Sequence, residues 1–316
     1  MDASGWPRIA GGWPRIAGRG PDIPAARNEV HFVQKAWVTV VAAEARTYEE
    51  LLSAVTMVSN FIALGVGQPI RLIETKASAI DSDSKETPQK TIDFAIRENS
   101  DPVAPMLPDI AAARMLFTLG DVRGDLEHRL HSWCNQQDKI KPLYSLYFGT
   151  LRRPKLYVEQ RLVNMFQALE SFDRRNYTIP AEQLVKHAAR VARIMEAVVT
   201  NGDRDWLEDR IRNSSESSAK DRILRLVKEY DAGWIFENES AEIDLAANFR
   251  NFYTHYTPKL EEKLPPKEER SLAMHRLAVR LQILCEIILL REIGFHPEEL
   301  KNKYQETGRM EWRLGI

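Results

Sequence analysis

The sequence predicts a mainly α-helical protein, a C-terminal helical bundle preceded by a small α+β module. Three observations carry this. From Pro142 onward, apolar residues recur at three- and four-residue spacing in one segment after another, the period of amphipathic helices. Before position 100 the apolar runs are short and rich in Val, Ile, Phe and Trp, as strands are, around a single helical pattern. Between these regions, Ser100 to Pro108 holds Pro102, Pro105 and Pro108, which reads as a linker. The expected organisation is a flexible leader over 1–28, an α+β module over 29–100, a linker and connecting helices over 101–141, and the bundle over 142–316.

The leader duplicates itself, since Gly5 to Gly11 reads GWPRIAG and Gly12 to Gly18 reads the same. Two copies of this length make no repeat architecture, and Gly, Pro and Arg as far as Pro24 point to a flexible segment. His31 to Ala42 reads as a strand. Thr47 then caps a helix, with Glu50 three residues on completing a capping box. Leu51, Val55, Val58 and Ile62 form the expected apolar stripe, and Gly65 and Gly67 stop the helix. Ile70 to Lys76 and Thr91 to Ile96 are two further strands, giving a β-α-β-β module. Asp81 and Asp83 in the intervening polar loop lack the other ligands and closing Glu of a calcium loop, so the segment reads as a solvated hairpin loop.

A short helix is expected near Ile110 to Thr118 and a longer one from Asp121 to Gln137. The longer one carries His128, His131 and Cys134 near one face. These are zinc-ligand types, but no fourth ligand accompanies them, which favours ordinary surface and packing roles. In the bundle, Val158, Leu162, Phe166, Leu169 and Phe172 make one helical stripe, and Leu184, Ala188, Val191, Met195 and Val198 another behind Pro180. Short helices follow around Trp206 to Ile211 and Ser218 to Tyr230. A helix from Ala241 to Tyr256 and a last long one from Glu268 to Ile293, with Gly294 at its C-cap, complete five or six packed helices.

With 44 basic and 45 acidic side chains in 316 residues, the chain is no polyelectrolyte, so nucleic acid would have to meet a local basic surface. Arg152, Arg153 and Lys155, then Arg174 and Arg175, with Arg190 and Arg193, are the candidates for holding phosphates. Cys134 and Cys285 are too few for a disulfide framework, which fits a reducing cytoplasm. The most apolar run, Leu281 to Leu290, is too short to span a bilayer and contains Glu286, so no membrane segment is expected.

The chemistry concentrates in Asn248-Phe249-Arg250-Asn251-Phe252-Tyr253-Thr254-His255-Tyr256. On a helix, Leu245, Phe249, Phe252 and Tyr256 fall on one stripe, expected to face the core. Arg250 and His255 stand about 140° apart, flanking a face with the small residues Ala247 and Thr254. Asn251 is four residues from His255, the spacing at which helical side chains meet, and its amide is expected to hold the imidazole. Thr257 precedes Pro258, so the helix must end there.

Arg250-Asn251-x-x-x-His255 resembles the signature of the HEPN superfamily of metal-independent ribonucleases. Its neighbours resemble the Apea-like branch and come in that branch's order: Gln167-Ala168-Leu169-Glu170, Lys220-Asp221-Arg222-Ile223-Leu224, the Arg250 motif, and Leu289 to Phe295. The resemblance covers roughly Pro142 to Phe295. It implies a HEPN-type bundle and an endoribonuclease of bacterial anti-phage defence, with Arg250, Asn251 and His255 catalytic and no metal or cofactor. It also implies that Glu170 pairs with Arg250, and that two copies join to build one composite cleft for RNA. The reaction would use the RNA's own 2′-hydroxyl as nucleophile, leaving a 2′,3′-cyclic phosphate and a 5′-hydroxyl. An alternative is an idle HEPN module that only dimerises or binds a partner, with Arg250 a surface ion-pairing residue.

Overall fold

The computed structural model describes residues 8–11, 38–42, 46–70, 75–79, 92–96, 112–153, 155–211 and 214–315. By packing, the chain divides into two compact units, Met1–Asn60 and Phe61–Ile316.

In the first unit, β1 (Arg8–Gly11) runs antiparallel to β2 (Val38–Val41), with Ile9 opposite Val40. β1 lies inside the stretch expected to be a flexible leader, which is corrected at these four residues. An isolated β2 would leave a row of backbone donors and acceptors unpaired, and β1 pairs one edge of it. The second copy of the duplicated heptapeptide, residues 31–37 and the whole of 97–111, including the proline-rich linker, lie outside the described residues.

Helix α1 (Tyr48–Val66) begins as its cap dictates: Thr47 N donates to Glu50 at 2.9 Å, and Glu50 N donates to the Thr47 hydroxyl at 3.3 Å. Its buried face is Ala54, Met57, Val58, Phe61 and Leu64, whereas Ile62 is exposed, so the expected stripe is rotated. Helix propagation ends at Gly67, whose φ of +73° suits glycine and whose missing side chain leaves room for the Arg309 guanidinium. Gly65, expected to stop the helix, lies inside it. α1 is long and apolar enough to cross a membrane by length and composition, the one such helix among the described residues, and half of that window is buried in the fold.

In the second unit, β3 (Thr75–Ala79) and β4 (Ile92–Ile96) form a separate antiparallel pair, β3 starting five residues later than expected. The described strands thus make two hairpin-like ladders rather than one sheet. The helix expected near Ile110 is only a 3-10 turn, Ala112–Arg114. The expected helix 121–137 is broken into α2 (Leu119–Val122) and α3 (Leu126–Asn135), followed by α4 (Gln137–Leu151). α4 starts before Pro142 and carries that proline in its interior, at the expense of one backbone hydrogen bond.

The bundle proper is α4, α5 (Val158–Asn176), α8 (Ala219–Glu229), α9 (Glu239–His255) and α11 (Lys267–Glu292), with α6 (Ala181–Glu196), α7 (Asn201–Ile211) and α10 (Pro258–Glu261) between them. Every residue of α11 from Leu277 to Leu290 is buried, as a helix surrounded on all sides must be. α5 lies against it with Leu162, Phe166, Leu169 and Phe172 buried, as its periodicity predicted, together with Met165, while Val158 at its start is half-buried. α6 differs from expectation. Its apolar stripe exists, yet neither α6 nor α7 buries a residue, and Leu184 is 43% exposed. Beyond Gly294, at φ +93°, two unforeseen helices close the chain, α12 (Pro297–Glu306) and α13 (Arg309–Leu314).

Candidate active site

Helix α9 is fixed at both ends by its own sequence. Asn238 accepts from Ala241 N at 3.1 Å, and Glu242 accepts from Glu237 N and Asn238 N at 2.8 and 3.0 Å, so two of the first turn's orphan donors are met. Arg280 of α11 pairs with Glu242 and Glu237 and ties this end to the core. At the other end Tyr256 is left-handed, and Thr257 is extended before Pro258, as the sequence required.

The buried stripe of α9 is Ile243, Ala246 and Phe249, continued by half-buried Tyr253, whose ring is stacked 6.4 Å from that of Phe249. This corrects the expected stripe: Leu245 and Phe252 are only half-buried and Tyr256 is 68% exposed. The rotation turns Arg250 toward α5. There its Nη2 donates to Glu170 Oε2 at 2.9 Å, the pairing the resemblance implied, and its Nη1 donates to Asn251 Oδ1 at 3.0 Å.

Asn251 therefore orients the guanidinium, and the expected bond to His255 does not form among the described residues. The i,i+4 spacing permits that bond, but the stronger donor is the charged guanidinium beside it. His255 is exposed on the outer side of the helix, with Thr254 next to it and Ala247 and Asn251 half-buried. Thr254 turns its hydroxyl back to the Arg250 carbonyl at 2.7 Å, a bond internal to the helix.

Glu170 sits within a belt of charge that sequence reasoning largely missed. Its second oxygen accepts from Arg174 at 3.2 Å, and Arg174 also approaches Glu216 at 3.4 Å. Glu216 pairs with Arg222 at 3.0 Å. Arg222 and Arg225 of α8 both reach Asp173, which is fully buried, at 3.2 and 2.7 Å. Asp173 follows Glu170 by three residues and thus shares its helix face, and Lys220-Asp221-Arg222 lay in a family-like segment. Neither hint named the pairing. The belt fixes α5 to α8 and thereby steadies the Glu170 carboxylate under Arg250.

The basic residues singled out for phosphate contacts separate into three places, Arg190 and Arg193 being exposed on α6. Arg174 is part of the site's own network, with Arg175 exposed beside it. Arg152, Arg153 and Lys155 are exposed in the α4–α5 connection, at the other end of α5. Sixteen residues of helix rise, about 24 Å, separate Val158 at the start of α5 from Arg174, so these two clusters are not one point of contact. Among the described residues no group of three or more His, Cys, Asp or Glu is placed to hold a metal ion. In α3, His131 instead meets the Asn135 amide at 3.0 Å, and burial raises the Cys134 thiol.

An electropositive, oriented guanidinium and an exposed imidazole on one helix can bind a phosphodiester and transfer protons at it. The family model for Apea-like HEPN matches residues 163–299, which contain Glu170, Arg250, Asn251 and His255. A second, for ApeA N-terminal domain 1, matches residues 19–133, starting within the expected leader and running across the expected linker. Neither curated proteins nor solved structures returned a match. With both matches in this order along one chain, the protein belongs to the Apea-like HEPN family and carries an ApeA-type N-terminal domain ahead of its helical bundle.

Proposed function

We propose that the protein is a metal-independent endoribonuclease acting in bacterial anti-phage defence. The observation that carries this is Arg250, held by Glu170 and Asn251 on the same helix as the exposed His255, inside the Apea-like HEPN match. Arginine has five N–H donors, and these two bonds leave others for the equatorial oxygens of a phosphate. Their charge steadies the transition state, in which negative charge grows at phosphorus. His255 serves proton transfer, taking the proton of the attacking 2′-hydroxyl or delivering one to the departing 5′-oxygen.

One imidazole cannot be both base and acid in the same step. A two-fold dimer resolves this by supplying a second His255 and a second Arg250 to one cleft. The face bearing Ala247, Asn251, Thr254 and His255 is where the axis would pass, because small side chains let two helices approach. Single-stranded RNA, such as a tRNA loop, is the substrate class, since its backbone can adopt the in-line geometry a duplex forbids. The cytoplasm, where such RNA is found, is the proposed compartment.

The Arg250–Glu170 pair also suits a second reading, an idle HEPN module in which it merely fastens α9 to α5 and the dimer serves binding. Incubating purified protein with total RNA in EDTA separates the two. Fragments ending in 2′,3′-cyclic phosphate and 5′-hydroxyl are expected. No cleavage, or cleavage only after magnesium or manganese is restored, would overturn the nuclease reading.

A further inference from the structure

Tyr256 follows His255 and closes α9 in an unusual way. Its φ of 51° and ψ of 37° are left-handed, a conformation that is unfavourable for an L-residue and that helix ends normally give to glycine. Among the described residues, Asp231 is the only other non-glycine with positive φ. The backbone is held there by a bond from Tyr256 N to Phe252 O of 2.6 Å and by the extended Thr257-Pro258 that follows.

The ring does not repay this cost by burial, because Tyr256 is 68% exposed. It is nevertheless held in place. Its centroid lies 5.4 Å from Phe252 and 5.9 Å from Tyr253, edge-on to the latter, and those two rings are 5.1 Å apart. Tyr253 in turn stacks on buried Phe249. A train of aromatic rings therefore runs from the core to solvent and ends one residue from the exposed imidazole. Strained backbone with a rigidly supported, open aromatic face beside a candidate site is the pattern of a ligand contact.

We propose that Tyr256, backed by Phe252 and Tyr253, is a stacking subsite for the nucleobase adjoining the phosphate that Arg250 and His255 engage. The proposal rests on the ribonuclease reading for its location. Tyr256 caps the end of α9 at which His255 stands, so its ring is presented at that end of the helix bearing Arg250 and His255. Unpaired bases offer flat π-faces that stack on aromatic side chains, worth about 1–3 kcal/mol per base and tolerant of sequence. The subsite therefore selects unpaired over paired nucleotides, and the larger face of a purine over a pyrimidine, while reading no hydrogen-bond code.

The test uses the full chain and three variants: Tyr256→Gly, which removes the ring and accepts the left-handed backbone, Tyr256→Trp, which keeps a stacking face, and Tyr256→Leu, which keeps only apolar bulk. Each is assayed on a short single-stranded RNA with one cleavage site and on the same RNA with an abasic nucleotide flanking that site. Tyr256→Gly is expected to lower kcat/KM about 5- to 150-fold, mainly through KM, and Leu similarly, with Trp near wild type. The abasic substrate should cost wild type the same factor and the Gly variant nothing more. In parallel, Kd is measured for a 2′-O-methyl version of the RNA, which binds without being cleaved. If wild type cleaves nothing but this Kd weakens in Tyr256→Gly and not in Tyr256→Trp, the subsite stands and the nuclease reading falls. If cleavage proceeds and neither Kd nor kcat/KM responds to Tyr256→Gly, the subsite falls and the nuclease reading stands. Dissociation of a dimer by Tyr256→Gly, with no base-dependent effect, would likewise overturn it by assigning the ring to a second copy.

Discussion

Glu286 and Glu170 are both held by arginines, and the difference between them separates scaffold from site. Glu286, in the middle of α11, is wholly buried. It accepts from the hydroxyls of Tyr147 at 2.9 Å and Tyr304 at 2.5 Å, from Gln282 at 3.2 Å and from Arg313 at 2.7 and 3.0 Å. Every direction around it is occupied, so it takes no ligand; instead it clamps α12 and α13 to α4 and α11. Glu170 accepts from two arginines, Arg250 and Arg174, and its side chain is 12% exposed and that of Arg250 27%. There the arginine keeps donors and an open side. A sealed ion pair specifies packing, whereas an open one presents a charge.

The largest effect that would break this contrast is on turnover. His255→Ala should lower the cleavage rate about 10²- to 10⁴-fold, and Arg250→Ala comparably, with His255→Ala leaving the melting temperature unchanged because the side chain is exposed. Wild-type rates in both would move the site elsewhere. Next comes the sealed side. Glu286→Ala strands Arg313 in the core and is expected to cost about 3–5 kcal/mol in denaturant unfolding, with the chemistry intact in whatever fraction remains folded.

Acid should act on the same group. Burial alone would raise the Glu286 carboxyl, but Arg313, Arg309 and the two tyrosine hydroxyls outweigh it and hold it below its ordinary value of 4.5. A folded pKa below the unfolded one means its stabilisation is complete above about pH 4.5 and is lost as pH falls through the lower folded value. Unfolding curves between neutral pH and pH 3 should therefore be steeper in pH for wild type than for Glu286→Gln. Equal slopes would show that the carboxylate does not carry the clamp's charge.

Smaller again is Ala247→Trp. Overpacking a close helix contact costs about 1–3 kcal/mol, enough to shift a dimer to monomer in analytical ultracentrifugation and to reduce cleavage with it. An active monomer would refute the composite cleft. The smallest expected change is Arg174→Ala. With a side chain 58% exposed, Arg174 should contribute no more than about 1 kcal/mol to stability, and activity should fall little because Arg250 keeps its bond to Glu170. A large loss would mean that Arg174 itself touches the phosphate.

By itself the sequence determined what depends on a few neighbouring residues: the Thr47–Glu50 cap, the α5 stripe, the end of α9 before Pro258, and the Arg250-Asn251-x-x-x-His255 spacing. Family-like segments extended its reach to one long-range contact, Glu170 with Arg250. Tertiary structure decided which face of α9 is buried, and so gave Asn251 to Arg250 rather than to His255. It also turned Glu286, which reads as an interruption in an apolar run, into the anchor of two helices, and left the well-formed stripe of α6 without a buried residue. Capping and periodicity are set within one or two helical turns. The partner of a side chain, and whether an apolar face is covered, depend on residues tens to hundreds of positions away, brought near only by the packing of the whole core.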